Sequence, residues 1–515
     1  MIRAITRRIG GSALAQRALD GGLPEWFAPR PHGGEGWAAA AAQVAGEFAD
    51  RSWLADLLPA FDPDPSDAAA ERLRAAGGAG GLVVTGGQQP GLFGGPLYVL
   101  HKAVTLLEMA DALALLTGRA VAPVFWAATD DADFVEASHV SVVRHGKLDT
   151  LVMPEAAPVG RSMARTPLGD LADQLARLEE ACGSAPDGRA IDAVREAYMR
   201  GATVGSAYVT LLRAVLEPLG IAVLDASHSS VRAAGHATMV NALVRADEIV
   251  PALRARSKAI SEAGFHAQVA DVPNLSLVFE TLDDGTRRRV PLRAAKDVAA
   301  AAPAERLGPN VLLRPIMERQ ILPTVTYIGG PGEIAYFAQV SAVADALGLV
   351  TPRISPRWSG TLVEPQIDSI RDRLHAVADD FADPHAMEGR VARGGVSVGV
   401  RSAVAGLRAE LDDSCDRLRS DEQTSEALAR SIGTMRAGVE HRLDRLERRY
   451  AAAIKQAGSQ DLSDVATVRA TLYPNGAPQE RALSFIPFLA RYGAAVVDAT
   501  REQARSHVAG VIQGG

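Results

Sequence analysis

Three clusters in this 515-residue chain combine residue types and spacings that can do chemistry. The first is TGGQQPGLFGGPLYVLHK, residues 85–102. A glycine-rich turn between strand and helix lets backbone N–H groups approach an anion, and the helix N-terminus favours phosphate or carboxylate there. Gly86, Gln88, Gln89, Gly91, Gly94 and Tyr98 are its candidate contacts, the paired amides offering both donors and acceptors. His101 and Lys102 fall near the second helical turn, from where they would aim cationic groups at the ligand. No Gly-Lys-Ser/Thr follows at Walker A spacing, and GxGxxG is lacking, so a generic NTPase or dehydrogenase loop is excluded. A plainer role fits the same residues: the glycines would serve only a tight turn, and His101 only the core.

The second cluster, Thr129, Asp130, Asp131, Asp133 and Glu136, directly follows the apolar run VFWAA. Acidic residues at this density bind Mg²⁺, hold a substrate amine or act as a base. The alternative is that Asp130 caps a helix while Asp133 and Glu136 are solvated. The third is Tyr327-Ile-Gly-Gly-Pro-Gly-Glu333, where Gly330 and Gly332 give the backbone freedom and Glu333 stands at a helix start, either capping it or meeting a ligand. Asp225, Ser227 and His228 lack a GxSxG elbow, which disfavours a hydrolase. Cys182 and Cys415 fit no CxxC pattern and read as buried apolar residues.

The elements that must position these clusters follow from the apolar pattern. A short apolar run before Gly86, the glycine turn, a long amphipathic segment from Pro96 and a second run, Val121 to Ala127, make a βαβ unit. Residues 203–220 read as a helix, IAVLDASHSS as a buried strand, and the run before Gly329 as another strand followed by a helix. This alternation predicts an α/β protein with a Rossmann-like, doubly wound parallel sheet. Asp-Asp-Gly within LSLVFETLDDGTRRRVPL predicts a hairpin, part of an inserted segment over about 235–310. Residues 1–80 read as a helical lead-in with a run from Trp37 to Leu58 broken by Pro59, and 80–360 as the catalytic core. Residues 361–475 read as an α-helical coiled-coil domain. Val363, Ile367, Ile370, Leu374, Val377 and Phe381 repeat at four-three spacing, as do Leu428 to Ile454, with Val404, Leu407, Leu411, Cys415 and Leu418 between. A narrow apolar seam needs a partner helix, either within the chain or from a second subunit; dimerisation is the expected use, with 476–515 returning to the core.

Composition narrows the class. With 47% hydrophobic and 22% charged residues the chain can bury a core, and a formal net charge of −7 disfavours a general nucleic-acid surface. No stretch approaches the apolar length of a membrane span, and two scattered cysteines argue against a disulfide framework, so a cytoplasmic protein is expected.

TGGQQPGLFGGPLYVLHK, PVFWAATDDADFVEASH, LRPIMERQILPTVTYIGGPGEIAYFAQ, PRISPRWSGTLVE and QERALSFIPFLARYG together resemble the bacillithiol-biosynthesis cysteine-adding enzymes, from about residue 80 to the C-terminus. That resemblance implies a Rossmann-type core with connecting inserts and a coiled-coil domain that dimerises. It implies a ligase joining the carboxyl group of cysteine to the amine of glucosaminyl-malate, with ATP and Mg²⁺ as expected cofactors for carboxyl activation. Asp130, Asp131 and Asp133 would orient the amine or a metal, whose ligands the sequence does not specify. Lys102 and His101 would stabilise developing charge, Arg314 would bind substrate, and Glu333 would close the pocket. Relatives typically read Glu-Asp-His-Asp where this chain has Asp130, Asp131, Ala132 and Asp133, and Gln-Asp where it has Glu318 and Arg319. A ligand-binding dimer without turnover, or a related acyl or nucleotidyl transferase with another amine, are the competing functions.

Overall fold

In the computed structural model, which describes residues 1–154, 156–383, 385–457 and 460–514, the apolar runs assemble a five-stranded sheet. Its strands are β1 (Leu82–Gln88), β2 (Val121–Ala127), β3 (Ala222–Asp225), β4 (Thr324–Gly329) and β5 (Ile354–Pro356). They lie in the order β5-β4-β1-β2-β3, every neighbouring pair parallel. Parallel sheets are covered on both faces and read as near-continuous apolar runs, and every residue of β2 and β4 is buried.

Helix α1 (Tyr98–Thr117) follows β1, and its terminating Gly118 takes the left-handed φ of 65° that a side chain would resist. Helix α2 (Pro331–Leu347) follows β4, with Pro331 in its first turn, where a missing N–H costs nothing. The chain thus leaves β1 toward β2 on one side and β4 toward β5 on the other. Adjacent strands whose connections diverge open a crevice at their carboxyl ends, the usual ligand position of doubly wound sheets.

Two compact units divide the chain: Met1–Arg144, Asp149–Val363 and Gln479–Gly515 form one, His145–Leu148 and Glu364–Pro478 the other. In the first, the N-terminal stretch carries helices Ala13–Leu19, Gly33–Glu47, Trp53–Phe61 and Ala68–Ala76, and also a strand, Arg3–Thr6, paired antiparallel with Gly360–Val363. The predicted run from Trp37 to Leu58 is two helices: the chain breaks in the polar stretch before Trp53, and Pro59 sits inside the second helix. The predicted hairpin is present, Leu275–Thr281 against Arg287–Pro291, with Leu307–Pro309 added on the other edge.

The second unit contains α3 (Val398–Arg419) and α4 (Glu426–Ala457), which pack together; Arg408 reaches Glu440, Asp444 and Glu447, and Arg436 reaches Asp412. The four-three run from Val363 to Phe381 is not one helix. Val363 ends a strand, the helix Pro365–Arg373 follows, and His375 at φ 48° turns the chain before a short 3₁₀ segment, Ala378–Phe381. Apolar periodicity cannot register that stop, because it is made by one left-handed residue. Among the described residues no helix is long and apolar enough to cross a membrane.

Candidate active site

The crevice between β1 and β4 is a cleft of about 680 Å³ within the first unit. The three clusters meet there: Gln88, Gln89, Tyr98 and Lys102 from the glycine segment, Asp130 and Asp131 from the acidic cluster, and Gly330, Gly332 and Glu333 from the start of α2 all line it, with Arg314. Gly86, Gly94, His101 and Asp133 do not line it, and Gly91 borders only an adjoining side pocket of about 200 Å³.

The glycine turn does not present its amides as an anion cradle. The Gly94 N–H is directed at the Gly91 carbonyl (3.0 Å) and the Tyr198 hydroxyl (3.3 Å), Gly95 N–H donates to Leu92, and Leu97 N–H donates to Leu483. Pro96 has no N–H, and α1 begins two residues later than its proline predicts. Close approach is the glycines' use: at φ 84°, a Cβ on Gly94 would lie 2.6 Å from the Phe485 ring, and one on Gly91 2.7 Å from Gly95 Cα. What the loop offers the cleft is side chains. Gln88 Nε2 donates to the Tyr98 hydroxyl at 3.3 Å, while Gln89 Nε2 is buried with no partner. A buried donor left unpaired is costly, which makes Gln89 the unsatisfied amide of the cleft wall.

His101 and Lys102 sit differently from the expectation. His101 is fully buried and turned away from the cleft, its Nδ1 3.0 Å from Glu480 and its ring against Trp358. Burial pulls its pKa down, against the Glu480 carboxylate, and favours neutral imidazole; it cannot stabilise charge in the cleft. Lys102 reaches the cleft wall with all its donors spent, on Gly87 O, Gln88 Oε1 (3.3 Å) and Glu333 Oε2 (2.6 Å). Burial would raise the Glu333 carboxyl, but Lys102, the Gly330 N–H (2.6 Å) and the Tyr327 hydroxyl outweigh it and hold it below the usual range. Glu333 therefore caps α2 and, through Lys102, ties the strand-end Gly87 to that helix; the pair is a clamp for the cleft's floor.

The acidic cluster divides by role. Asp130 stands 3.5 Å from Arg287 and 3.9 Å from Arg232, and its carbonyl also accepts from Arg287, so it positions guanidinium groups. Asp133, exposed outside the cleft, and not Asp130, caps the helix Phe134–Ala137, through the Glu136 N–H. Asp131 is the carboxylate left for chemistry. Its Oδ1 accepts the Ala132 and Asp133 N–H groups at 2.6 and 3.0 Å, which holds it still. Burial, then Asp130, raise its pKa above the ordinary aspartate value, against those hydrogen bonds and Arg287. A pKa raised toward neutrality is what a general base requires. Ala132 puts a methyl beside it in the cleft wall, and His139 lies instead in the side pocket.

Glu318 and Arg319 lie outside the cleft lining: Glu318 pairs with Arg314 at 2.7 Å, and Arg319 pairs with Glu47. The remaining Arg314 bonds go to the Tyr327 and Tyr336 hydroxyls at 3.1 and 3.2 Å. Ser227 gives its hydroxyl to Asp225 at 2.9 Å and His228 bonds Ser230 at 2.8 Å, so Ser227 and His228 are not paired with each other.

Sequence reasoning missed the wall supplied by the C-terminal segment. In Gln479-Glu480-Arg481, Gln479 bonds both the N–H and carbonyl of Leu362, and Glu480 accepts Arg357 through both oxygens, with His101, Ser359 and the Gly360 N–H. Two of the three side chains bolt the segment down. The third, Arg481, lines both the cleft and the side pocket and makes no hydrogen bond or ion pair among the described residues. The signal was a dense polar triplet before an apolar helix, matched by Arg357 in PRWSG.

Residues 20–358 match the model of the bacillithiol biosynthesis BshC N-terminal Rossmann-like domain, and residues 360–510 that of the BshC C-terminal coiled-coil domain. The chain is 30% identical over 476 residues to a protein of Solibacter usitatus, covering 89% of this chain and 88% of that one. It is 31% identical over 449 residues to a protein of Koribacter versatilis (83% and 82%), and 29% identical over 495 residues to one of Salinibacter ruber (91% and 89%). All three carry the name "Putative cysteine ligase BshC".

Proposed function

Because the chain belongs to the bacillithiol-biosynthesis BshC family of cysteine ligases, we propose that it joins the carboxyl group of L-cysteine to the amine of glucosaminyl-malate as an amide. The observation that carries this reading is the meeting of Gln89, Asp131 and Arg481 in one cleft at the sheet's switch point. An amine is protonated in water and must lose a proton before it can attack. Asp131, fixed by two backbone N–H groups, takes that proton; the nitrogen bonds to the cysteine carboxyl carbon and releases its second proton to solvent, and the carboxyl oxygen would leave on the phosphate or adenylate that ATP supplies. Holding both reactants in one crevice makes the encounter effectively intramolecular.

A carboxylate is a poor electrophile, and ATP with Mg²⁺ would supply its activation. The cleft has the volume for a nucleotide, and Arg287, held at its wall by Asp130 with its Nε unpartnered, would meet a phosphate-bearing group there. Among the described residues no group of three or more His, Cys, Asp or Glu is placed to hold a metal. Mg²⁺ commonly enters such sites on phosphates, with one or two carboxylates.

The test is direct. Incubated with cysteine, glucosaminyl-malate, ATP and Mg²⁺, the protein is expected to yield the amide, read by mass spectrometry. Ala132 favours the competing reading of a dimer that binds these molecules without turnover; binding with no product would establish it in place of the ligase.

The helical unit supports a homodimer. Leu407, Leu418, Leu428 and Met435 on α3 and α4 are 46–56% exposed, apolar surface of the kind that a second copy would cover. Sedimentation equilibrium is expected to give twice the chain mass, and Leu428→Glu with Met435→Glu to give the single mass. A wild-type monomer at micromolar concentration would exclude the dimer.

A further inference from the structure

We propose that the side pocket at Gln89 and Arg481 is the subsite for the non-reacting carboxylate of the amine acceptor. The inference rests on the ligase reading and adds to it the group that selects the acceptor. At about 200 Å³ the pocket takes a malate-sized group and is too small for a nucleotide. It opens beside the cleft, sharing Gln88, Gln89, Tyr98, Glu136 and Arg481 with it, so one molecule can occupy both.

Two donors on its wall lack partners. Gln89 Nε2 is buried and unbonded, and Arg481 presents an exposed guanidinium that makes no hydrogen bond or ion pair among the described residues, its charge being felt by Glu136 and Tyr98. The other cations lining the cleft are already engaged: Lys102 on Glu333, Arg357 on Glu480, Arg314 on Glu318 and two tyrosines, Arg287 on Asp130, and Arg289 on the Ser276 carbonyl. A guanidinium fork at the rim of one small space, with an amide in its wall, matches the in-plane lone pairs of a carboxylate. Glu136 is the one acid among the residues lining this pocket. Burial and the neighbouring Asp133 and Asp131 raise its pKa, against the Tyr98 hydroxyl and the charge of Arg481. The backbone holding Arg481 is rigid for a stated reason, since Gln479 and Glu480 on the same short helix are bonded into the core. The reacting carboxyl of cysteine must stay open to activation and attack in the main cleft. A carboxylate that serves only recognition has no such requirement, and the side pocket is where one is held.

Two acceptors test this, glucosaminyl-malate and methyl glucosaminide, which carry the same amine with and without the dicarboxylate. In steady-state kinetics Arg481→Met is expected to raise KM for glucosaminyl-malate at least tenfold while changing kcat/KM for methyl glucosaminide less than twofold, with Arg481→Lys recovering part of the loss. An unchanged KM for glucosaminyl-malate in Arg481→Met would overturn the proposal. Should the protein ligate neither acceptor, the ligase reading fails and calorimetric titration decides the subsite separately. L-malate is then expected to bind at least tenfold more tightly than its neutral diamide, with the preference lost in both Arg481→Met and Gln89→Leu. Equal binding of malate and diamide by the wild-type protein would sink the subsite. Circular dichroism melts confirm that each variant is folded.

Discussion

Asp131→Asn is expected to lower turnover about 100-fold or more, the range a positioned general base commonly contributes. The fold should be untouched, because an Asn Oδ1 still accepts the Ala132 and Asp133 N–H groups that hold the side chain. The pH profile separates a base from a residue that merely shapes the cleft. Asp131 works only when ionised, and burial raises its pKa, so wild-type activity falls as pH drops through a value above the ordinary aspartate range. In the Asn variant that acid limb disappears, leaving a low rate insensitive to pH over the same window. A variant with near-parental turnover, or with the same acid limb, would remove Asp131 from the proton transfer.

The largest loss of stability is expected at Glu480. Its carboxylate, 5% exposed, answers both arms of Arg357 at 2.7–2.9 Å. The same carboxylate accepts from His101, Ser359 and a backbone N–H. Removing one partner of a buried pair leaves the other charge desolvated and alone, so Glu480→Ala should cost about 3–5 kcal/mol in denaturant unfolding. Glu480→Gln should cost less, since the amide keeps part of the hydrogen bonding. The pH dependence has a definite sign. Burial alone would raise the Glu480 pKa, but Arg357 and His101 outweigh it and depress it below the unfolded value, so its contribution is fully present above about pH 4.3 and is lost as pH falls through the folded value. Wild-type stability that is flat from neutral pH down to pH 3 would contradict this.

Sequence patterning captured the alternation of strand and helix, because a buried parallel strand is apolar throughout and its turns carry glycine and proline. It also marked all three segments that converge, since Gln88–Gln89 lie at the end of β1, Asp130–Asp131 in the turn just past β2, and Gly330–Glu333 at the start of α2. What it missed depends on partners far away in the chain. Lys102 looks like a free cation until Glu333, 231 positions later, takes it. His101 looks like its neighbour in purpose, yet one residue is about 100° around a helix, enough to aim it at Glu480 in the core. Arg481 was legible only as part of a triplet; that it alone remains unpaired follows from where Arg357 and Leu362 fall in the fold. The broken helix before Phe381 belongs to the same class, a stop made by backbone conformation under an unbroken apolar repeat.

The central claim is that one crevice between β1 and β4 receives both reactants. A crystal structure of the protein soaked with cysteine and glucosaminyl-malate reads it most directly. The acceptor is expected with its amine beside Asp131 and its dicarboxylate against Gln89 and Arg481. Density for either molecule at another surface, such as the groove lined by Arg30, Trp37 and Arg353, with this cleft holding only solvent, would contradict the account.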